Sequence, residues 1–302
     1  MSVDIVDIIV LTYGDFRYLR NTLESVFAQQ RPIGRVIVSD DGSGKIFPDA
    51  CRALFPKAEF RQNACNMGTV AHMNCLAAMC SGTYLKFLAA GDMFSDVGAL
   101  DALIAHAQKT HAVITTSNAL ITSQDLSRVY YEFPGALRAK VLQNQGPALF
   151  RALARANIIS AAGTLLHRDF FDVLGGFDPR YRFLEDWPAW LRLAREGYQI
   201  AYLDRVTCRY AVGGISSKDG NAFYSQRLRQ DMLRCYEQEI LPAQSLFSER
   251  EARDIRYHYE LLHSDNSKTL WMTYPDLHAW NLLKRGIKWI ILKCKWNIKN
   301  HR

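Results

Sequence analysis

The chain has 302 residues, 49% of them hydrophobic and 22% charged. That composition excludes a disordered or fibrous protein and suffices for one large α/β domain with a smaller appendage. The net charge of +7 favours an anionic partner such as phosphate, nucleic acid or a membrane surface, without choosing among them.

The first residues, Met1-Ser2-Val3-Asp4-Ile5-Val6-Asp7, carry two acids where a secretion signal needs basic residues, so no signal peptide is read. No apolar stretch approaches the roughly 20 residues of a spanning helix, and a cytoplasmic protein, soluble or resting on a membrane surface, is expected. The seven cysteines are never spaced as C-x-x-C. That argues against a zinc site or a disulfide framework and fits reduced thiols.

From Ile5 to Thr12 the chain is β-branched and apolar, which predicts a strand. Leu19, Leu23, Val26 and Phe27 then recur at helical spacing within 16–29. A second strand, Arg35 to Ser39, ends in Asp40-Asp41-Gly42-Ser43. A helix over 49–55, a strand over 58–62, a helix over 70–80 and a strand over 84–88 follow, the last leading into Ala90-Gly91-Asp92. Residues 96–108 read as helix and 112–117 as strand. This alternation predicts a mostly parallel sheet with helices on both faces. In such sheets ligands bind beyond the carboxyl ends of the strands, and the polar clusters fall there. The stretch 120–156, with Tyr130-Tyr131, is less regular and is expected to shape an acceptor groove. Residues 163–167 read as a strand, Gly175-Gly176-Phe177-Asp178 as a turn, and 187–196 as a helix. After about Ser217 the pattern is helical throughout. The expected organisation is a catalytic domain over 1–217, with a nucleotide-binding half to about 118 and an acceptor half to 217. A helical region over 218–302 follows.

Taken singly, the polar clusters have ordinary explanations. Asp40-Asp41-Gly42-Ser43 can aim carboxylates at a base or ribose, and it also suits a plain strand-ending turn. Asp92 can hold a divalent metal against phosphates or can serve a turn. Glu185-Asp186 opens an amphipathic helix, whose N-terminus favours an ionised carboxylate. That suits a general base, and equally an N-cap.

Taken in order, Val10-Leu11-Thr12-Tyr13-Gly14, Asp40-Asp41-Gly42-Ser43, Asn66-Met67-Gly68, Ala90-Gly91-Asp92 and Glu185-Asp186-Trp187 resemble the family 2 glycosyltransferases of the GT-A fold. The resemblance covers the first two-thirds of the chain and implies an inverting transfer from a nucleotide-sugar donor. It places Thr12, Tyr13, Asp40, Asp41, Asn66, Gly68 and Gly91 around the nucleotide, with uridine as the expected base. It makes Asp186 the catalytic base with Glu185 beside it, and Asp92 the ligand of manganese or magnesium. The implied partners are the donor and a glycan or lipid-linked acceptor of a surface-polysaccharide pathway, with no nucleic acid. Where the family often has another acid, this chain has Ala90-Gly91, so the metal shell would hold one protein carboxylate completed by diphosphate oxygens and water. The stretch Tyr210 to Ser217 suits either a loop folding over a diphosphate or an ordinary surface loop.

Other readings fit less well. Gly42-Ser43-Gly44-Lys45 lacks the first glycine of a phosphate loop, at Ser39, and the hydroxyl after its lysine, at Ile46. No G-x-G-x-x-G follows the first strand, against a dinucleotide oxidoreductase, and the glycine-rich signature of a pyrophosphorylase is missing. A binding module that kept the nucleotide pocket without catalysis stays open. From Leu277 to Arg302 there is no acid. Lys284, Arg285, Lys288, Lys295, Lys299 and Arg302 would share one side of a helix, with Ile287, Ile290, Ile291, Cys294 and Ile298 on another. That pattern, with Trp289 and Trp296, suits a helix lying in an anionic membrane interface. Lys293 and Gly286 interrupt it, and packing on the domain is the alternative.

Overall fold

The computed structural model describes residues 4–213, 226–263 and 267–283. The chain divides into two compact units, Met1–Cys235 and Tyr236–Arg302.

The first unit opens with β1 (Val6–Thr12), α1 (Leu19–Phe27), β2 (Ile33–Asp40), α2 (Asp49–Leu54), β3 (Glu59–Gln62), α3 (Thr69–Ala77) and β4 (Tyr84–Ala89). Then come β5 (Met93–Phe94), α4 (Ala99–Thr110), β6 (Ile114–Thr122), β7 (Val129–Phe133), α5 (Ala136–Val141) and α6 (Gly146–Arg155). It closes with β8 (Leu165–His167), α7 (Asp169–Leu174), α8 (Asp186–Arg195), β9 (Ile200–Ala211) and α9 (Gln226–Cys235).

Among the described residues nine strands form one sheet, ordered β3-β2-β1-β4-β8-β6-β9-β5, with β7 paired to β6. β1 runs parallel to β2 and β4, and β2 to β3. Val6, Ile8, Ile9 and Val10 are buried on both faces of the sheet, as apolar residues of a parallel strand covered on both sides are. On one face Val6, Ile8, Val10, Val38 and Leu88 pack with Leu19, Leu23 and Val26 of α1 and Leu100, Leu103 and Ile104 of α4. On the other, His72 of α3 meets Ser39, and Phe177 packs edge-on against Phe87. The helices therefore cover both faces.

The second half of the sheet is mixed. β8 runs antiparallel to both β4 and β6, and β7 forms a hairpin with β6, whereas β6 and β9 are parallel. The sequence shows neither β9 nor the short β5 and β7. Half-buried Tyr202, Leu203 and Tyr210 alternate irregularly along β9 with exposed Asp204 and Arg205, so period two is lost. Tyr210 and Ala211, expected in a loop, end β9 and pair with Ile121 and Thr122. Val212 continues the pairing by donating to the Thr122 carbonyl, and residues 214–217 lie outside the described residues.

Register positions the site. Thr12 pairs with Asp40, Leu11 with Ala89 and Asp40 with Gln62. The strands end in step, and the backbone ladder continues past them: the N–H of Asp41 donates to the Thr12 carbonyl, and that of Ala90 to Leu11. The loops beginning at 13, 41 and 90 thus share one edge of the sheet.

The second unit contains single turns over Tyr236–Ile240 and Leu241–Leu246, then α10 (Glu249–His263), α11 (Ser267–Thr273) and a helical stretch over 275–283. Its centre is Tyr257, whose hydroxyl meets Nδ1 of His278 at 3.2 Å and accepts the Asn281 amide at 3.0 Å. Arg253 forms a bidentate pair with Asp276. The basic face expected over 284–302 lies outside the described residues.

Candidate active site

The first two loops are joined by Asp40, which is fully buried. Its Oδ1 accepts the N–H of Gly14 at 2.7 Å and its Oδ2 that of Ser43 at 2.8 Å. The carboxylate therefore staples loop to loop. Thr12 turns its hydroxyl onto the Asp15 carbonyl at 3.1 Å, while Tyr13 stands 57% exposed at the rim. A cleft of about 570 Å³ borders this rim, lined by Tyr13, Gly14, Asp15, Phe16, Arg17, Lys45 and Pro48. It holds neither Asp40 nor Asp41.

Asp41 organises the third loop. Its Oδ1 accepts the Asn63 amide and the Met67 N–H, and its Oδ2 accepts the Asn66 amide and the Gly68 N–H, all within 3.0 Å. Gly42, at φ +71°, lies under this loop, where a Cβ would come within 2.2 Å of the Cys65 carbonyl carbon. Gly68, at φ +88°, precedes α3. Asn66 and Gly68 are thus tied to Asp41, and Asp40 joins them through its carbonyl, which accepts the Asn63 N–H. His72 lies beside Asp41 as well: its Nε2 lies 2.8 Å from Ser39 Oγ and its Nδ1 4.0 Å from Asp41. Burial pushes the imidazole below its ordinary range. His72 is not among the residues singled out from sequence, because a lone histidine within an apolar helix reads as core.

The turn after β4 is held by backbone contacts. Gly91 takes φ +111°, and its N–H donates to Thr22 Oγ1 at 2.8 Å. Asp92 is 4% exposed. Its Oδ1 accepts the Ala211 N–H at 3.0 Å, tying the turn to the end of β9, and its Oδ2 has only a long contact of 3.4 Å to Ala89 N–H. Burial pushes this carboxyl up to about 6 against those backbone donors. It is an anion short of compensation, which fits a cation arriving with a ligand. Among the described residues no group of three His, Cys, Asp or Glu comes together. The described residues thus offer no three-ligand cage, and a divalent ion held at Asp92 would need diphosphate or water oxygens to fill its shell.

Lys86, three residues before the end of β4, is completely buried and unremarked in sequence. Its Nζ donates to the carbonyls of Phe87, Ala162 and Thr164. This fastens β4 to the segment entering β8, and burial pulls the ammonium down to about 8.

Glu185 and Asp186 stand at the start of α8 and are partly buried. Asp186 Oδ2 accepts the Asn157 amide at 2.8 Å and Oδ1 the Trp187 N–H at 2.6 Å. Desolvation raises both carboxyls; Asn157 and Trp187 oppose the rise at Asp186, whereas the Asp186 charge adds to it at Glu185. The pair is thus polarised, with Asp186 the more readily ionised. Arg182 connects this segment to the loop that Asp41 organises. Its guanidinium donates to the Asn66 side chain at 2.9 Å, and its carbonyl accepts the Val70 N–H. Asn157 and Arg182 escaped the sequence reading, since neither lies in a motif.

The family model described as Glycosyl transferase family 2 matches residues 7–158. Similar solved structures include S. aureus TarS 1-349, at 16% identity and TM-score 0.57, covering 87% of this chain and 73% of that one. TarS 1-349 in complex with UDP-GlcNAc aligns at 16% identity and TM-score 0.58, covering 87% and 74%. The mannosyltransferase PcManGT from Pyrobaculum calidifontis, in complex with GDP-Man and Mn2+, aligns at 16% identity and TM-score 0.55, covering 93% and 75%. No curated protein matches the sequence.

Proposed function

We propose, from the premise that this chain belongs to glycosyl transferase family 2, that it moves a sugar from a nucleotide diphosphate to an acceptor hydroxyl with inversion. One observation carries the reading. An ionisable carboxylate, Asp186, is oriented by Asn157, and its segment is joined through Arg182 to the loop that Asp41 builds at the strand ends.

Asp186 accepts the acceptor proton as the hydroxyl attacks the anomeric carbon. Glu185 stays protonated more readily and tunes its neighbour. The nucleoside sits over Thr12, Tyr13, Asn66, Gly68 and Gly91, with Asp40 and Asp41 shaping the loops. Uridine is the proposed base, in keeping with the UDP-GlcNAc complex of TarS; GDP-Man in the mannosyltransferase complex is the competing precedent. Asp92 would hold manganese or magnesium, which supplies positive charge to the departing diphosphate.

The proposed acceptor is a glycan or lipid-linked precursor of a surface polysaccharide, received on the side of the exposed Tyr130 and Tyr131 on β7. Among the described residues no helix is long and apolar enough to cross a membrane. The acid-free basic stretch 277–302 supports a peripheral position on an anionic, cytoplasmic membrane face. Incubating the protein with a panel of nucleotide sugars and following their consumption tests the reading. Binding without consumption would favour a non-catalytic nucleotide-sugar binding protein.

A further inference from the structure

Asp231 lies on the buried stripe of α9 with Leu228, Met232 and Cys235, where a carboxylate needs compensation. It finds that compensation 47–49 residues away. Its Oδ2 accepts three successive backbone N–H groups, those of Arg182 at 2.8 Å, Phe183 at 2.6 Å and Leu184 at 3.3 Å. Its Oδ1 faces Arg234 at 3.4 Å. Three consecutive amides turned onto one oxygen form an anion nest, made here by a side chain of the same protein.

The place of the nest gives it meaning. Leu184 directly precedes Glu185-Asp186, and Arg182 is the residue that touches the Asn66 loop. The segment 182–184 has neither helical nor strand hydrogen bonding of its own. Without the carboxylate its three amides lose their common acceptor, and the chain entering α8 loses its fixed direction.

We infer that Asp231 is a positioning residue: it fixes the backbone of 182–184 so that Asp186 meets the acceptor hydroxyl in a set orientation. The inference rests on the proposed transfer reaction for its catalytic consequence, but its structural half stands apart. It also gives α9, beyond the last motif of the family resemblance, a part in the site.

Two readouts test it on the full chain. Amide hydrogen exchange of Arg182, Phe183 and Leu184 should be slow in the wild type and at least tenfold faster in Asp231→Ala, with the β1 and β4 amides unchanged. In sugar transfer Asp231→Ala should lower kcat about 10- to 100-fold, as a small misplacement of a reacting group does, with donor KM within about twofold. Asp231→Asn keeps one acceptor oxygen and should recover part of both losses. Unchanged exchange at the three amides in a folded Asp231→Ala protein overturns the inference, as does wild-type kcat. If Asp231→Ala fails to fold, Asp231→Ser, whose hydroxyl is too short to reach the three amides, carries the same test: equal exchange and equal kcat to wild type overturn it. A wild type without transfer activity refutes the proposed function instead, and the exchange experiment still decides whether Asp231 holds the segment.

Discussion

The Asn157 side-chain amide donates to Asp186 Oδ2 at 2.8 Å across 29 residues of chain. The same Asn157 accepts the N–H of Ile159 through its carbonyl oxygen, so its amide cannot flip without losing both bonds. The donor therefore opposes the upward push of desolvation on the Asp186 carboxyl.

This relationship fixes the sign of a pH effect. A general base works only when ionised. Removing the Asn157 donor raises the Asp186 pKa further, so Asn157→Ala should move the acid limb of the kcat/KM profile to higher pH. Activity should be depressed most below that limb and recover toward wild type above it. A profile displaced downward equally at all pH values would instead mean lost geometry.

The two loop aspartates and Tyr13 should separate cleanly. Tyr13 is exposed at the rim, so Tyr13→Ala should raise donor KM several-fold with unchanged stability. Asp41 accepts four N–H groups, so Asp41→Ala should raise KM and also cost about 2–4 kcal/mol in urea unfolding, because buried donors are left unpaired. Gly42→Ala places a Cβ against the Cys65 backbone at positive φ and should destabilise by about 2 kcal/mol or more.

Lys86 predicts a pH dependence of stability. Its folded pKa is lowered to about 8 from 10.5. Between those values the unfolded chain holds a proton that the folded chain has released, so stability should rise with pH across that window. Below about 8 the full penalty, about 3 kcal/mol, is present. In Lys86→Met this rise should vanish when urea midpoints are compared at pH 7.5 and 10. An identical rise in the variant would assign it to other groups.

The proposed metal role of Asp92 has its own test. Titration calorimetry of UDP should show tighter binding with manganese than with chelator, and Asp92→Asn should reduce the difference. Equal affinity in chelator would leave Asp92 with its contact to β9 alone.

The parallel half of the fold was legible because β1, β2 and β4 are rich in β-branched and apolar residues and run into the polar turns at Tyr13-Gly14, Asp41-Gly42-Ser43 and Gly91-Asp92, while helical spacing recurs between them. β9 was not, since its twelve residues (Ile200–Ala211) mix buried and exposed positions without alternation. In the site, the acids of the motifs were visible, but their directions were not. Asp40 and Asp92 point into the backbone of neighbouring loops, a fact set by register rather than by residue type. Asn157 is an asparagine in an irregular stretch, and its role exists only once α8 folds beside it. Asp231 left one mark, an acid on the apolar stripe of a helix with Leu228, Met232 and Cys235.

The most direct test of the central claim is donor turnover and donor binding measured side by side for the wild type and Asp186→Asn. The wild type should consume a UDP-sugar and form a glycosidic product in the presence of acceptor. Asp186→Asn should bind UDP with the same Kd and turn over at least about 100-fold more slowly, the typical contribution of a general base. An Asp186→Asn protein as active as the wild type, or a wild type that binds nucleotide sugars and transfers none, would contradict the account.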